Sequence, residues 1–340
     1  MSAPRLLVGL VAALIAGPGT AQAASFDCAK AATAREKLIC ADPKLSAMDD
    51  ALAKSYRAAL QPLSPDGRTQ LRNGQRAWLR FADTLCGTGG SQIPPAANRF
   101  DTPTACLHTR YTVRQRQLDH ATTAVAGGLV IARLEDFAAT PSSDSNKFVE
   151  RDIAFPQIDR PGSDAERRWN VAVRERAAAE AMTPPTAENP RMDVWLDYSV
   201  KWATPALISV VFDLSWYGHG AAHPSSGSTA FNWLLADRRA LAPADLFDRA
   251  KPWRDTLARL AFVQLQGHVA ANELFVKSAA QLVDIAADPR RWAIEPDGLH
   301  ILFGQYEVGP YVLGQPEALL SWSALAPVLA AHPAFAIPPG

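Results

Sequence analysis

The chain has 340 residues, with 34 Lys+Arg against 34 Asp+Glu and a formal net charge of zero. That balance, without a dense basic cluster, excludes the electrostatic footprint of a nucleic-acid-binding protein, and the length allows two domains of ordinary size. The charge is unevenly placed. Residues 25–125 carry 14 Lys+Arg against 9 Asp+Glu and residues 126–340 carry 19 against 25, which predicts a basic and an acidic unit with separate partners.

Residues 1–24 have the build of a secretion signal. Arg5 precedes the apolar run Leu6–Ala16, Gly17-Pro18-Gly19 breaks it, and Ala21-Gln22-Ala23 has the small-x-small form that a signal peptidase accepts. The run is shorter than the roughly 20 residues that cross a bilayer. Cleavage after Ala23 or Ala24 and a periplasmic or secreted product are expected, with no membrane span left after cleavage.

Residues 25–123 read as a small helical domain. Thr33-Ala34-Arg35-Glu36 fits a capping box, and Asp42-Pro43 ends the short helix it opens. Ser46 is expected to cap a second helix whose inner face carries Leu45, Met48, Leu52, Tyr56 and Leu60. A third helix follows Ser64-Pro65-Asp66, residues 87–103 read as a Gly- and Pro-rich loop, and Leu107, Tyr111, Arg114 and Leu118 mark the inner face of a fourth. All four cysteines, Cys28, Cys40, Cys86 and Cys106, lie here. An even number in an exported chain points to disulfides. Three pairings are possible, and Cys28–Cys40 with Cys86–Cys106 is favoured because both close short local loops.

Residues 124–146, with Gly127-Gly128 and a Pro/Ser-rich stretch, read as a linker. Residues 147–340 then read as an α+β domain with an antiparallel sheet. A capping box at Ser163-Asp164-Ala165-Glu166 opens a helix. Strand-like runs follow at Val194–Trp202, Ala206–Trp216 and Thr229–Leu235, the second with Ile208, Val210, Phe212, Leu214 and Trp216 in period-2 alternation. A helix is expected from Pro252 to about Ala271, and Pro296-Asp297-Gly298 marks a hairpin.

Two segments could carry function. Tyr217-Gly218-His219-Gly220-Ala221-Ala222-His223-Pro224 holds two histidines four apart. That spacing suits zinc on a helix face, but the glycines and the proline argue for a loop, and Asp213 is the nearest further ligand. A structural turn and a partner-contacting loop are the other two readings. Tyr306-Glu307-Val308-Gly309-Pro310-Tyr311 is either a recognition surface or a strand pair with its tyrosines packed on the sheet. There is no Gly-x-Ser-x-Gly and no Cys-x-x-Cys, so no catalytic residue, cofactor or metal is expected.

Phe26-Asp27-Cys28, Glu36-Lys37-Leu38-Ile39-Cys40-Ala41-Asp42-Pro43, Leu45 to Asp49, Leu52 and Gln75-Arg76-Ala77-Trp78-Leu79, with Cys86 and Cys106, resemble the LprI-type lysozyme inhibitor family over residues 25 to about 120. The second half is similar to an RsiV-like region, shared by a lysozyme-binding anti-sigma factor and an extracellular peptidoglycan deacetylase. The resemblance rests on Phe155-Pro156-Gln157-Ile158, Tyr217 to Pro224, Phe231-Asn232, Asp245-Leu246-Phe247, Tyr306 to Tyr311 and Gly314. The family's Gly-Gly-Ala-His-Pro stands here as Gly220-Ala221-Ala222-His223-Pro224, so His223 holds the His-Pro position and His219 lies outside the motif. The deacetylase has a separate catalytic domain that is not matched here.

These resemblances imply a non-enzymatic envelope protein that captures a lysozyme-like muramidase and blocks its cleft sterically. Tyr217, His223, Tyr306 and Tyr311 are the expected contacts. The alternative is a module that binds peptidoglycan or another wall polymer; a metal-dependent hydrolase using His219, His223 and an acid is the third reading.

Overall fold

Four helices come first, each started by a side chain that satisfies free N–H groups. In the computed structural model, which describes residues 24–89, 102–125, 127–141, 148–182, 191–268 and 273–338, α1 spans Ala34–Ala41 behind the expected capping box of Thr33 and Glu36. The segment expected to be a secretion signal and most of the Gly- and Pro-rich loop fall outside the described residues. Helix α2 spans Pro43–Leu60 and is capped by Asp42, not by Ser46. Proline fits the first helical position because its missing N–H is unpaired there anyway, so the helix begins earlier and Ser46 lies inside it, donating to the Ile39 carbonyl at 2.9 Å. Helix α3, Pro65–Leu85, is capped by Ser64, and α4, Pro103–Asp119, by Thr102.

Both expected disulfides are present, Cys28–Cys40 and Cys86–Cys106. Cys86 and Cys106 are fully buried, whereas Cys28 is exposed. Replacing both members of the second bridge by Ala is expected to lower stability by about 3 kcal/mol in equilibrium denaturation, the loop-closure value for a 20-residue separation. Under mild reductant, thiol trapping and mass spectrometry should find Cys28 and Cys40 labelled before the other two.

The segment read as a linker is instead part of a sheet. Strands β1 (Thr122–Val125) and β2 (Leu129–Pro141) pair antiparallel. They lead a seven-stranded sheet with β3 (Phe148–Ile158), β4 (Met192–Ala203), β5 (Leu207–Gly218), β6 (Ser225–Leu234) and β7 (Arg239–Ala240), its strands lying in chain order. Gly127 and Gly128, both at positive φ, make the β1–β2 turn. The sheet is mostly antiparallel, with one exception: β3 and β4 are parallel. Helix α5 (Asp164–Ala181) supplies the crossover that a parallel pair needs, burying Trp169, Val173 and Ala177 against the strands.

The basic and acidic segments are not separate bodies. Ala132 and Phe148 of the sheet belong to the same buried cluster as Leu45, Trp78, Phe81 and Tyr111 of the helices, with Phe137 and Ala139 packed against it. Two glycines a full heptad apart let α3 lie close. A Cβ on Gly67 would sit 2.5 Å from an Asp159 carboxylate oxygen, and one on Gly74 would sit 2.7 Å from Glu135. Asp159 in turn accepts bonds from the Ser64 N–H and hydroxyl at 2.6 and 2.7 Å. Glycine is a poor helix former; here its lack of a side chain admits two carboxylates.

The rest of the chain, with α6 (Trp253–His268) and α7 (Val283–Ala287), builds a second core around a three-stranded antiparallel sheet of β8 (Trp292–Glu295), β9 (Gly298–Leu302) and β10 (Glu317–Ser321). The expected Pro296-Asp297 hairpin joins β8 to β9. The short helix α8 (Trp322–Leu325) follows β10. Buried polar bonds tie this sheet to the first: Asn232 donates to the Trp292 carbonyl at 2.7 Å, and the Ile294 N–H donates to the Ser209 hydroxyl at 3.0 Å.

Candidate functional site

The β5–β6 hairpin ends in an exposed loop, residues 219–224, and the long connection from β9 to β10 reaches it. His223 meets Tyr306 and Tyr311 there, across more than eighty residues of chain. The His223 and Tyr311 rings are 4.3 Å apart between centroids, His223 and Tyr306 6.4 Å, and the two tyrosines 5.6 Å. The Tyr311 hydroxyl donates to the Pro224 carbonyl at 3.4 Å, and the Tyr306 hydroxyl lies 3.4 Å from His223 Nε2. Beneath the rings the two segments are stitched together by Gln315, which donates to the Ser226 hydroxyl at 3.0 Å, while Ser228 donates to Asp213 at 2.6 Å.

This cluster faces solvent. Tyr306 is 49% exposed, Tyr311 38% and Val312 88%. Tyr306 also holds φ at 64°, a left-handed conformation that a bulky residue rarely adopts and that costs on the order of 1 kcal/mol. A depression of about 270 Å³ lined by Trp216, Ser226, Arg290, Arg291 and Gln305 opens beside it. The chemistry on offer is flat, amphipathic and rigid: aromatic area with hydroxyl and imidazole tips.

Tyr217, the fourth sequence candidate, has a different position. Its hydroxyl donates to the Ala221 carbonyl at 3.1 Å and its ring lies 6.1 Å from that of His219, bracing the loop. His219 is held by Asp193, Nε2 to Oδ1 at 3.0 Å, and burial raises the Asp193 carboxyl above its ordinary pKa. A hydrolytic centre would need His219, His223 and Asp213 to converge on one point. In this structure His219 pairs with Asp193, His223 contacts the tyrosines and Asp213 accepts from Ser228, and among the described residues these three do not form a metal-ligand group.

A second polar centre, signalled in the sequence only by Arg114 on an inner helix face, is buried between the helices and the sheet. Arg114 of α4 is fully buried, with both Nη atoms on the Glu135 carboxylate, one of them at 2.9 Å, and Nε on Gln75 at 2.9 Å. Arg133 also holds Glu135, at 2.6 Å, and Asp197, at 2.5 Å. Burial opposes charge on Glu135, but Arg114 and Arg133 outweigh it and hold the carboxyl below its ordinary pKa. Arg110 binds Glu150 at 2.8 Å alongside. A cavity of about 410 Å³ lined by Arg116, His120, Arg133, Asp197 and Tyr198 opens at this junction.

Asp152 lies in the same layer, where burial pushes its carboxyl up to about 6, Arg133 opposing and Glu135 and Asp197 adding to the shift. Unfolded, the group ionises near 3.8, so between the two values the folded state holds the extra proton and stability falls as pH rises from about 4 to about 6. Asp152→Asn is therefore expected to raise stability at pH 7.5 by about 3 kcal/mol and to change little at pH 4, read by urea denaturation at both pH values. A loss of stability at pH 7.5 would contradict burial as the governing effect.

Comparison with known proteins adds to this picture. Residues 28–101 match the family model described as "Lysozyme inhibitor LprI". Residues 244–323 match that of a protein family of unknown function, DUF3298. No curated protein matches the chain. Among solved structures, one of a DUF3298 family member from Bacteroides fragilis has a TM-score of 0.45 and 15% identity, covering 60% of this chain and 94% of that one. Another, of a DUF3298 family protein from Pseudomonas aeruginosa, has the same score and identity and covers 60% and 95%.

Proposed function

We propose that this chain is a non-catalytic, extracytoplasmic inhibitor that binds a lysozyme-like muramidase. The observation that carries this reading is the match of residues 28–101 to a lysozyme inhibitor family. Two disulfides support action outside the cytoplasm, where thiols are not kept reduced. Among the described residues no helix is long and apolar enough to cross a membrane.

The contact surface in this proposal is the His223–Tyr306–Tyr311 cluster with Val312 at its edge. Tyrosines carry large contact area at low conformational cost and dominate interface energetics. Their ring contacts and the fixed backbone of Tyr306 hold them in place before binding, which removes part of the ordering cost. Inserted into a groove holding two catalytic carboxylates, such a cluster would exclude the polysaccharide without chemistry. The net acidic residues 126–340 would speed encounter with a basic lysozyme, so the association rate should fall as salt rises.

The test is a turbidity assay of cell-wall lysis with the mature full-length chain in excess. Slowed lysis and a complex on a sizing column are expected. Undiminished lysis by several lysozyme classes, with no complex, overturns the proposal. Sedimentation of the chain with insoluble cell wall in the absence of lysozyme would favour wall-polymer binding instead.

A further inference from the structure

We propose that Glu295, Asp297 and His300, at the β8–β9 turn, form a binding site for a divalent transition-metal ion, with Zn²⁺ as the fitting probe. One ligand atom from each lies within 4.8 Å of the other two. Two ligands each about 2.1 Å from one tetrahedral zinc are about 3.4 Å apart, so side-chain rotations that bring the donors together by up to about 1.4 Å close the shell.

The turn itself is rigid. Pro296 and Asp297 form a two-residue connection, with Glu295 paired to Gly298 and Ile301 paired to both neighbouring strands. Gly298 cannot be widened, since a Cβ there would meet the Leu320 carbonyl at 2.5 Å. All three donors therefore project from a fixed backbone, the arrangement that keeps ligand geometry within the tolerance a metal needs.

A second observation concerns the imidazole. His300 is only 9% exposed, and its Nδ1 is buried without a hydrogen-bond partner. Glu317 on β10 pairs with that nitrogen ionically at 3.6 Å. The other ring nitrogen lies 3.2 Å from Asp297. A buried ring between Asp297 and Glu317, with Glu295 in the same group, suits an ion that accepts both imidazole and carboxylate, which selects Zn²⁺ over the oxygen-seeking Ca²⁺ and Mg²⁺. Glu317 is placed as the partner that orients the ring. Lys201, 3.1 Å from Glu295, competes with the metal for that carboxylate. The site does not depend on the lysozyme-binding proposal.

Calorimetric titration of the metal-free mature chain with ZnCl₂ tests it. Saturable binding with one ion assigned to this turn is expected, weakened at least tenfold in the exposed-turn variant Asp297→Asn and lost in His300→Ala. Lys201→Gln should tighten binding severalfold by freeing Glu295, and Ca²⁺ and Mg²⁺ should bind far more weakly. Circular dichroism of each variant confirms that it is folded, and Asp297→Asn, on the surface, keeps the test valid if His300→Ala does not fold. No saturable binding up to 1 mM Zn²⁺ overturns the proposal, as does Zn²⁺ binding that Asp297→Asn leaves unchanged or Lys201→Gln weakens.

Discussion

Replacing Arg114 by Ala is expected to destabilise the protein by about 3–5 kcal/mol, because it leaves the Glu135 carboxylate buried with half its compensation gone. Glu135 is 2% exposed and Arg114 fully buried, so water cannot replace the lost bonds. The substitution also orphans the Gln75 and Gln117 oxygens that Arg114 binds at 2.9 and 3.2 Å. Cation–π contacts go too, since the guanidinium lies 5.7 Å from the Trp78 ring and 5.6 Å from Phe137. In thermal unfolding this should lower Tm by on the order of 10 °C. Arg114→Lys keeps the charge but loses the two-pronged grip, and should fall in between. Because the network joins α4 to β2, both halves should loosen together, with helix and sheet signals moving in one transition. A drop confined to the helices, with the sheet unfolding at its original temperature, would show that the junction does not couple them.

The second large effect concerns recognition. If the aromatic cluster is the contact surface, Tyr311→Ala should weaken lysozyme binding about 30-fold or more, the loss of 2 kcal/mol or more that marks a central interface residue. Tyr311 both offers area and holds His223, whose ring lies 4.3 Å away, so truncation removes one anchor and frees another. Tyr306 needs a different substitution. Its φ of 64° would strain Ala, whereas Gly accepts that conformation freely, so Tyr306→Gly removes the ring without strain, though it also frees the backbone, and should also weaken binding. Tyr217→Phe loses the bond to Ala221 and should act more weakly, through loop placement. Surface plasmon resonance gives all three; unchanged affinity in both Tyr311→Ala and Tyr306→Gly would remove the cluster from the interface.

Much of the helical region is legible locally. The Thr33–Glu36 box, the Ser64 cap and the position of Arg114 on an inner face with Leu107, Tyr111 and Leu118 are all contained in short stretches of chain. What Arg114 binds is not. Glu135 belongs to β2, where Arg133, Glu135 and Asp136 break the apolar alternation of a half-buried strand, and a Gly-Gly pair precedes it. Arg133 and Glu135 point one way, into the buried polar network, and Asp136 the other, to solvent, so the period-2 signal is absent and the segment reads as a linker. The parallel β3–β4 pair is hidden for a related reason, since strand direction depends on where α5 returns the chain. The recognition cluster was half legible: the His-Pro loop and the Tyr306–Tyr311 stretch each draw notice, but their meeting is set by the second sheet packing against the first. The Glu295–Asp297–His300 group was masked by its own turn signal, which explains Pro296-Asp297-Gly298 without asking what flanks it.

The most direct measurement is calorimetric titration of a C-type lysozyme with the mature chain, repeated with a chitin oligosaccharide saturating the lysozyme cleft. A chain that seats its aromatic loop in that cleft binds one to one and loses apparent affinity in proportion to the sugar's occupancy. Absence of any binding heat, or an affinity that the oligosaccharide leaves unchanged, contradicts cleft blockade.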